Sequence, residues 1–282
     1  MNRFQRFAAI DWSGAKGRRH KGIALAVCEA GDAAPRLIDR DRPWSRTEVL
    51  EWLLATADEA PTLYGFDFSY APPIVERGAY LPGDAAPEDA RSFWAYVDAL
   101  CNDEDLGAAS FLETHHRRHF YFGAADGVKA DFVRFRQCDA RLNAQGGRKT
   151  ASAYDAIGAA QVAKASFSGM RLLHRLEEKV AIWPMDPVPE NESAVVEIYT
   201  RIYLRNAGMS GKKLRTRSEL NQALRGLGSK PVRLRFEPND HQTDALVTAA
   251  GMRAHLSNPL AFDPPGLTPD LARTEGWTFG IV

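Results

Sequence analysis

Three short apolar segments, each carrying an acidic residue at or near its carboxyl end, constrain the fold of this chain more than any other feature. The segments and their acids are residues 7–10 with Asp11, residues 63–66 with Asp67, and residues 195–198 with Glu197. Apolar runs of this length, rich in β-branched or aromatic residues and bounded by Ser and Gly, predict strands. A fourth acid, Asp244, lies near the start of a helix predicted over about 240–256.

A carboxylate beside a buried strand is unfavourable unless a partner neutralises it. Because the arrangement recurs, we expect the four acids to meet in the folded protein. Carboxylates that meet repel one another unless a proton or a cation intervenes, and a divalent metal ion is the natural solution. Asp240 lies four residues before Asp244 on the same predicted helix face, so it joins the expected metal ligands.

Each acid also has a simpler interpretation that stays open. Asp11 and Asp67 could close their strands as turn residues. Asp240 could serve as the helix N-cap, and Asp244 could complement the helix dipole. Glu197 is the hardest to explain in this way, because its apolar neighbours predict a strand with little water nearby.

The order of apolar segments predicts a mixed sheet. Strands are expected at about 5–12 and 22–28, with a third beginning near residue 37, and this close spacing is typical of an antiparallel meander. A helix capped near Ser45 then leads to the strand that ends at Asp67. A crossover helix favours a parallel partner, so the predicted class is α/β.

Residues 70–190 interrupt this pattern, and we interpret them as a mainly helical insertion in a single domain spanning 1–282. Within the insertion, helices are predicted at about 88–101 and 153–179. The Glu197 strand then resumes the sheet. Two short helices, the helix at about 240–256 and a closing strand at 276–281 complete the prediction.

Composition excludes some classes of partner. The chain has 36 basic and 36 acidic residues, so no overall field steers it towards nucleic acid or an anionic membrane. A basic cluster at residues 16–21 could still form a local basic groove for nucleic acid. The three cysteines form no CxxC pair, which indicates neither a zinc site nor a disulfide framework. No apolar run is long enough to span a bilayer, and we expect a soluble, cytoplasmic protein.

The chain resembles ribonuclease H-like proteins, in which a mixed sheet begins with a three-strand meander that carries the first catalytic aspartate. More narrowly, it is similar to the family catalogued as domain of unknown function 429, predicted to be ribonuclease H-like nucleases. The matching pieces are residues 9–14, 65–69, 152–154, 183–184, 197–201 and 240–253. One departure is Thr200, which stands where the family's tyrosine-proline-arginine run has proline.

The resemblance implies that Asp11, Asp67, Glu197 and Asp244 are catalytic and bind one or two Mg²⁺ or Mn²⁺ ions, with Asp11 as the bridging ligand. Asp240 or His241 would be a substitute ligand or a proton carrier. Two such ions would activate water and stabilise the leaving oxygen of a phosphodiester. Nucleic acid is the substrate class that this implies. The residues expected to contact substrate are Ser13, Lys16, Ser69 and Arg201.

Alternative functions stay open at this point. The segment 11–17 could cradle phosphate as in actin-like phosphotransferases, although residues 67–70 supply no glycine for a second phosphate loop. His115 and His119 would share a helix face and could bind zinc, but residue 116 is His where a metalloprotease needs Glu. The acids could also hold an ion in a non-catalytic metal- or nucleotide-binding module.

Overall fold

A computed structural model describes residues 3–74, 76–146, 150–158, 162–209 and 213–282. Within these ranges the chain is an α/β protein with a mixed six-stranded sheet flanked by helices, in the order β3-β2-β1-β4-β6-β5. The strands are β1 Arg6–Asp11, β2 Ala24–Glu29, β3 Arg36–Leu37, β4 Thr62–Phe66, β5 Ala181–Ile182 and β6 Ala194–Glu197. The described α-helices are α1 Arg46–Thr56, α2 Ala90–Leu100, α3 Lys129–Phe132, α4 Gln137–Ala144, α5 Val162–Leu176, α6 Thr200–Asn206, α7 Arg217–Gly226, α8 Asp240–His255 and α9 Pro269–Thr274.

Strand pairing confirms the mixed sheet. β1 is antiparallel to β2 and β2 to β3, so the first three strands form the predicted meander. β1 is parallel to β4, and β4 is parallel to β6. Helix α1 provides the crossover to β4, and it begins at Ser45, whose hydroxyl accepts from the Glu48 amide in a capping box.

The sheet separates two apolar cores. Alternate residues of a strand point to opposite faces, so Ile10 and Phe66 lie in the core covered by α1, α2 and α5. Ala9 and Leu63 lie in the core covered by α6, α7 and α8. Segment 70–190 therefore contributes α2 and α5 to one layer, and β5 to the edge of the sheet.

Two glycines let helix α8 lie close to its neighbours, one at the sheet and one at α6. A Cβ on Gly65 of β4 would lie 2.7 Å from the Met252 sulfur of α8. On α8 itself, a Cβ on Gly251 would lie 2.4 Å from the ring of Tyr203 in α6. The hydroxyls of Thr200 and Thr248 also form a 2.8 Å hydrogen bond between α6 and α8. Proline at residue 200 could not form this bond, so the threonine there has a structural role.

Two predicted elements differ from the structure. The strand expected at 276–281 is reduced to one parallel bridge between Thr278 and Glu197, because the chain turns at Gly280, where φ is 109°. The helix expected from residue 153 is described only as α5; residues 152–155 form a turn, and residues 159–161 lie outside the described ranges. No helix in the described ranges is both long and apolar enough to cross a bilayer.

Candidate functional site

Asp11 and Asp67 are neighbours at the carboxyl ends of two parallel strands. Ile10 pairs with Phe66, and the Asp67 amide donates to the Ile10 carbonyl at 3.1 Å. Asp11 and Asp67 are the next residues in this register, so their side chains leave the sheet on the same face. Adjacent strands are about 4.8 Å apart, which brings the two carboxylates close to each other.

Helix α8 brings Asp244 to the same face. The helix is capped by Asn239, whose side chain accepts from the Gln242 amide in a capping box. Its first turn reaches the end of β1, where His241 Nδ1 lies 3.1 Å from Asp11 Oδ2. Asp244 follows His241 by three residues, so the two side chains lie on adjacent positions of the helix surface.

These three carboxylates are poorly neutralised. Burial, followed by the negative charges of Asp11 and Asp244, holds the pKa of Asp67 well above its ordinary range. Burial and the Asp11 charge raise the pKa of Asp244 to about 7. Burial also raises the pKa of Asp11, against the effect of its hydrogen bond with His241. All three retain some access to solvent.

Among the described residues, only one of the three acids has a hydrogen-bond partner for its carboxylate. Asp11 has His241, whose pKa this hydrogen bond raises. Neither Asp67 nor Asp244 has a hydrogen bond or ion pair to its carboxylate from another described residue. A mostly enclosed carboxylate without a partner is rare, since an isolated buried charge is strongly unfavourable.

Glu197 lies on the other face of the sheet. It pairs with Phe66, so its side chain points with Phe66 and Ile10, and Ile198 takes the position beside Asp67. Its role as a metal ligand stays a prediction, and one that requires this buried side chain to leave its present partners.

The Glu197 carboxylate is fully engaged in a buried charged network. Arg136 donates to both oxygens, at 2.6 and 2.5 Å, and the Thr278 hydroxyl donates at 2.6 Å. The Tyr70 amide adds a fourth bond at 2.9 Å. Arg136 also pairs with Asp139 at 2.9 Å. This network fixes the end of β6 to α4 and to the last residues of the chain.

Asp240 stands apart from the enclosed acids. It is the first residue of α8 and is exposed, and its carboxylate forms an ion pair with Lys213. Its negative charge still contributes to the raised pKa of Asp244. Asp240 is therefore at the rim of the site.

Of the four residues predicted to contact substrate, Ser13 and Arg201 lie at the acidic site. Ser13 Oγ and His241 Cε1 both flank Gly22, at 3.3 and 3.5 Å from the position of a Cβ there. The Arg201 charge lowers the pKa of Asp244, and no other described residue pairs with this guanidinium. Within the described ranges, Arg201 thus places an unpaired cation beside an acid.

Lys16 and Ser69 are engaged elsewhere. The Lys16 ammonium lies 2.7 Å from Glu113, and the Ser69 amide donates to Ser166 of α5 at 3.1 Å. The same helix holds the loop after β1, because a Cβ on Gly14 would lie 2.2 Å from the Ala165 nitrogen. The Ser/Gly turn in the sequence marks this close approach.

A second group of ligand-type side chains lies away from these acids. Among the described residues, Asp84, His116 and His119 bring one ligand atom each within 4.8 Å of one another. The carboxylates of Asp11, Asp67 and Asp244 do not form so tight a group. The shared helix face expected for His115 and His119 does not form, because a π-helical turn ends at His115 and a 3₁₀ turn follows at Arg117–His119.

Comparison with known proteins adds no relative to this description. No protein-family model, curated protein or solved structure matches the chain.

Proposed function

We propose that this protein is a ribonuclease H-like, divalent-metal-dependent phosphodiester hydrolase whose site is formed by Asp11, Asp67 and Asp244. The observation that carries the proposal is the convergence of these three acids, from β1, β4 and α8, two of which have no carboxylate partner among the described residues. The strand order supports it, because β1 lies between an antiparallel and a parallel neighbour at the centre of the sheet. Ligands of open α/β sheets bind outside the carboxyl ends of such strands.

The donor set fits Mg²⁺ or Mn²⁺. Carboxylate oxygens are the ligands that these hard cations prefer, and Mg²⁺ keeps several water ligands while using one or two carboxylates. A bound cation would also relieve the repulsion that raises the pKa values of Asp67 and Asp244.

The surrounding residues suit phosphodiester cleavage. A divalent ion at this position would lower the pKa of a bound water and stabilise the leaving oxygen. Without a bound cation the pKa of Asp244 is about 7, so metal binding near neutral pH would displace a proton from this carboxyl. His241 forms a hydrogen bond with Asp11 and could carry a proton there, while Arg201 and Ser13 would contact the phosphate.

A cleavage assay tests the proposal. Labelled single- and double-stranded DNA and RNA are incubated with Mg²⁺ or Mn²⁺, and wild type is compared with Asp11→Asn and Asp67→Asn. We expect each substitution to reduce cleavage roughly 100-fold or more, because metal stabilisation of the transition state amounts to several kcal/mol. The matched control is Asp270→Asn, an exposed acid in the first turn of α9 that pairs with Arg273, and it should keep the activity of wild type.

Two outcomes would count against the proposal. Folded wild-type protein that cleaves none of these substrates with either metal would remove the nuclease function. Hydrolysis of ATP, or phosphate transfer from it, lost in the Asp11 variant, would indicate a phosphotransferase on the same acids instead.

A further inference from the structure

His116, His119 and Asp84 form a second cluster, with both histidines directed at one carboxylate oxygen. His116 Nδ1 and His119 Nε2 each lie 2.8 Å from Asp84 Oδ2. Both histidine rings are about 7% exposed, whereas Asp84 is less buried. Two imidazole nitrogens and a carboxylate oxygen thus converge at a single point beneath the surface.

The groups around the cluster hold its members in place. Tyr96 of α2 places its hydroxyl 3.0 Å from His116 Nε2, the ring nitrogen that faces away from Asp84. Arg118 pairs with the other Asp84 oxygen, Oδ1, and its Nε lies 3.3 Å from His119 Nε2, a contact that metal binding would replace. The Phe111 ring packs against His116 with centroids 4.5 Å apart. Hydrogen bonds of this kind to the far side of each ligand are what orient the ligands of metal sites.

We propose that Asp84, His116 and His119 bind a zinc-type divalent transition metal. Two histidine nitrogens and one carboxylate oxygen are a ligand set of zinc sites that have three protein ligands and a water in the fourth position. This donor set differs from the all-oxygen set of the acidic site, so it selects a different ion. The site is independent of the proposed nuclease function.

The ligand atoms of both histidines face Asp84 Oδ2, so an ion that binds between them takes the place of the protons in these hydrogen bonds. Tyr96 can donate to His116 Nε2 or accept from it. Its hydroxyl therefore permits the change of tautomer that frees Nδ1 for a metal.

A bound ion would join two segments that are distant in sequence. Asp84 lies in the loop before α2, and the histidines follow the turn Phe111–His115, which contains Glu113. Glu113 pairs with Lys16 of the loop after β1. A metal here would thus fix the position of a turn that contacts the loop next to Asp11.

Zinc titration of chelator-treated protein tests the inference. Calorimetry should show one Zn²⁺ per wild-type chain, and Co²⁺ should give visible absorption bands. We expect His119→Gln and Asp84→Asn to weaken binding at least about tenfold, and Tyr96→Phe to weaken it roughly 10- to 100-fold. His115→Gln is the matched control, since this exposed neighbour lies outside the cluster and should bind as wild type does.

The variants separate the possible results. If His119→Gln fails to fold, the Tyr96→Phe titration still decides, because it leaves all three ligands in place. Folded wild type that takes up no Zn²⁺ would overturn the inference, as would equal losses in His115→Gln and His119→Gln. Zinc binding that disappears in Asp11→Asn would place the ion on the acidic site and refute this cluster as its ligand, whatever the outcome of the cleavage assay.

Discussion

Removing the charge of Asp244 should stabilise the metal-free protein. In the folded state this carboxyl has a pKa of about 7, raised from an ordinary value of 3.8 by burial and by Asp11. At pH values between 3.8 and about 7, Asp244 is therefore protonated in the folded chain and ionised in the unfolded chain. The free energy of unfolding therefore falls as pH rises through this range, and the loss is complete above about pH 7.

The size of the effect follows from the same two values. At 1.36 kcal/mol per pH unit, the difference corresponds to a ceiling of about 4 kcal/mol. Asp244 keeps some contact with solvent and shares its repulsion with Asp11, so we expect about half of this, ~2 kcal/mol, for Asp244→Asn at about pH 8. Asparagine keeps the shape of the side chain and removes only the charge.

Urea unfolding in the presence of a chelator measures this gain. The increase should shrink as pH falls from about 8 to about 5, because the wild-type carboxyl is then protonated in the folded state. Asp240→Asn, an exposed position on the same helix, should change stability by less than about 1 kcal/mol. An Asp244→Asn protein no more stable than wild type at about pH 8, or one with the same gain at both pH values, would refute the reasoning.

Two further predictions concern the packing that supports the site. Arg136→Met leaves Glu197 buried without its ion-pair partner and should lower the free energy of unfolding, measured in urea, by about 3–5 kcal/mol. The control Arg134→Met, at a half-exposed position, should lower it by less than about 1 kcal/mol. Equal losses in the two variants would contradict the role of the Arg136–Glu197 pair. Gly251→Ala places a Cβ 2.4 Å from the Tyr203 ring and should reduce the melting temperature, with a cost of about 1–3 kcal/mol. An unchanged melting temperature would mean that α6 and α8 can separate freely.

Much of the architecture follows from local signals in the sequence. The meander, the crossover helix and the helix that carries Asp244 all have clear hydrophobic segments and capping residues. Ser45 with Glu48, and Asn239 with Gln242, form the capping boxes that start α1 and α8. Local propensity and tertiary packing agree in these elements, which is why the prediction succeeds.

The side of the sheet on which Glu197 lies could not be predicted in the same way. Residues 194–198 are apolar on both sides of the acid, so the segment has no alternation to show which face it presents. Only the pairing of Phe66 with Glu197 determines the face on which Glu197 lies. A shift of one residue in this pairing would exchange the positions of Glu197 and Ile198. Register between distant strands is a tertiary property.

The histidine cluster was missed for a related reason. A regular helix would place His115 and His119 on one face, which is the arrangement that their spacing predicts. At His116 the backbone leaves the helix, with φ of −127° and ψ of 26°, and this turns His116 towards His119. The third member, Asp84, is 32 residues away in a loop without a distinctive motif.

The buried network at Glu197 can be completed only late in the synthesis of the chain. Arg136 precedes Glu197 by 61 residues, and Thr278 follows it by 81. At about 5–20 residues per second, a ribosome needs roughly 4–16 s to add the second interval. During that time a nascent chain holds the acid and its arginine without the hydroxyl and the bridge that complete their environment. We therefore expect the domain to reach its final packing only after residue 279 has left the exit tunnel.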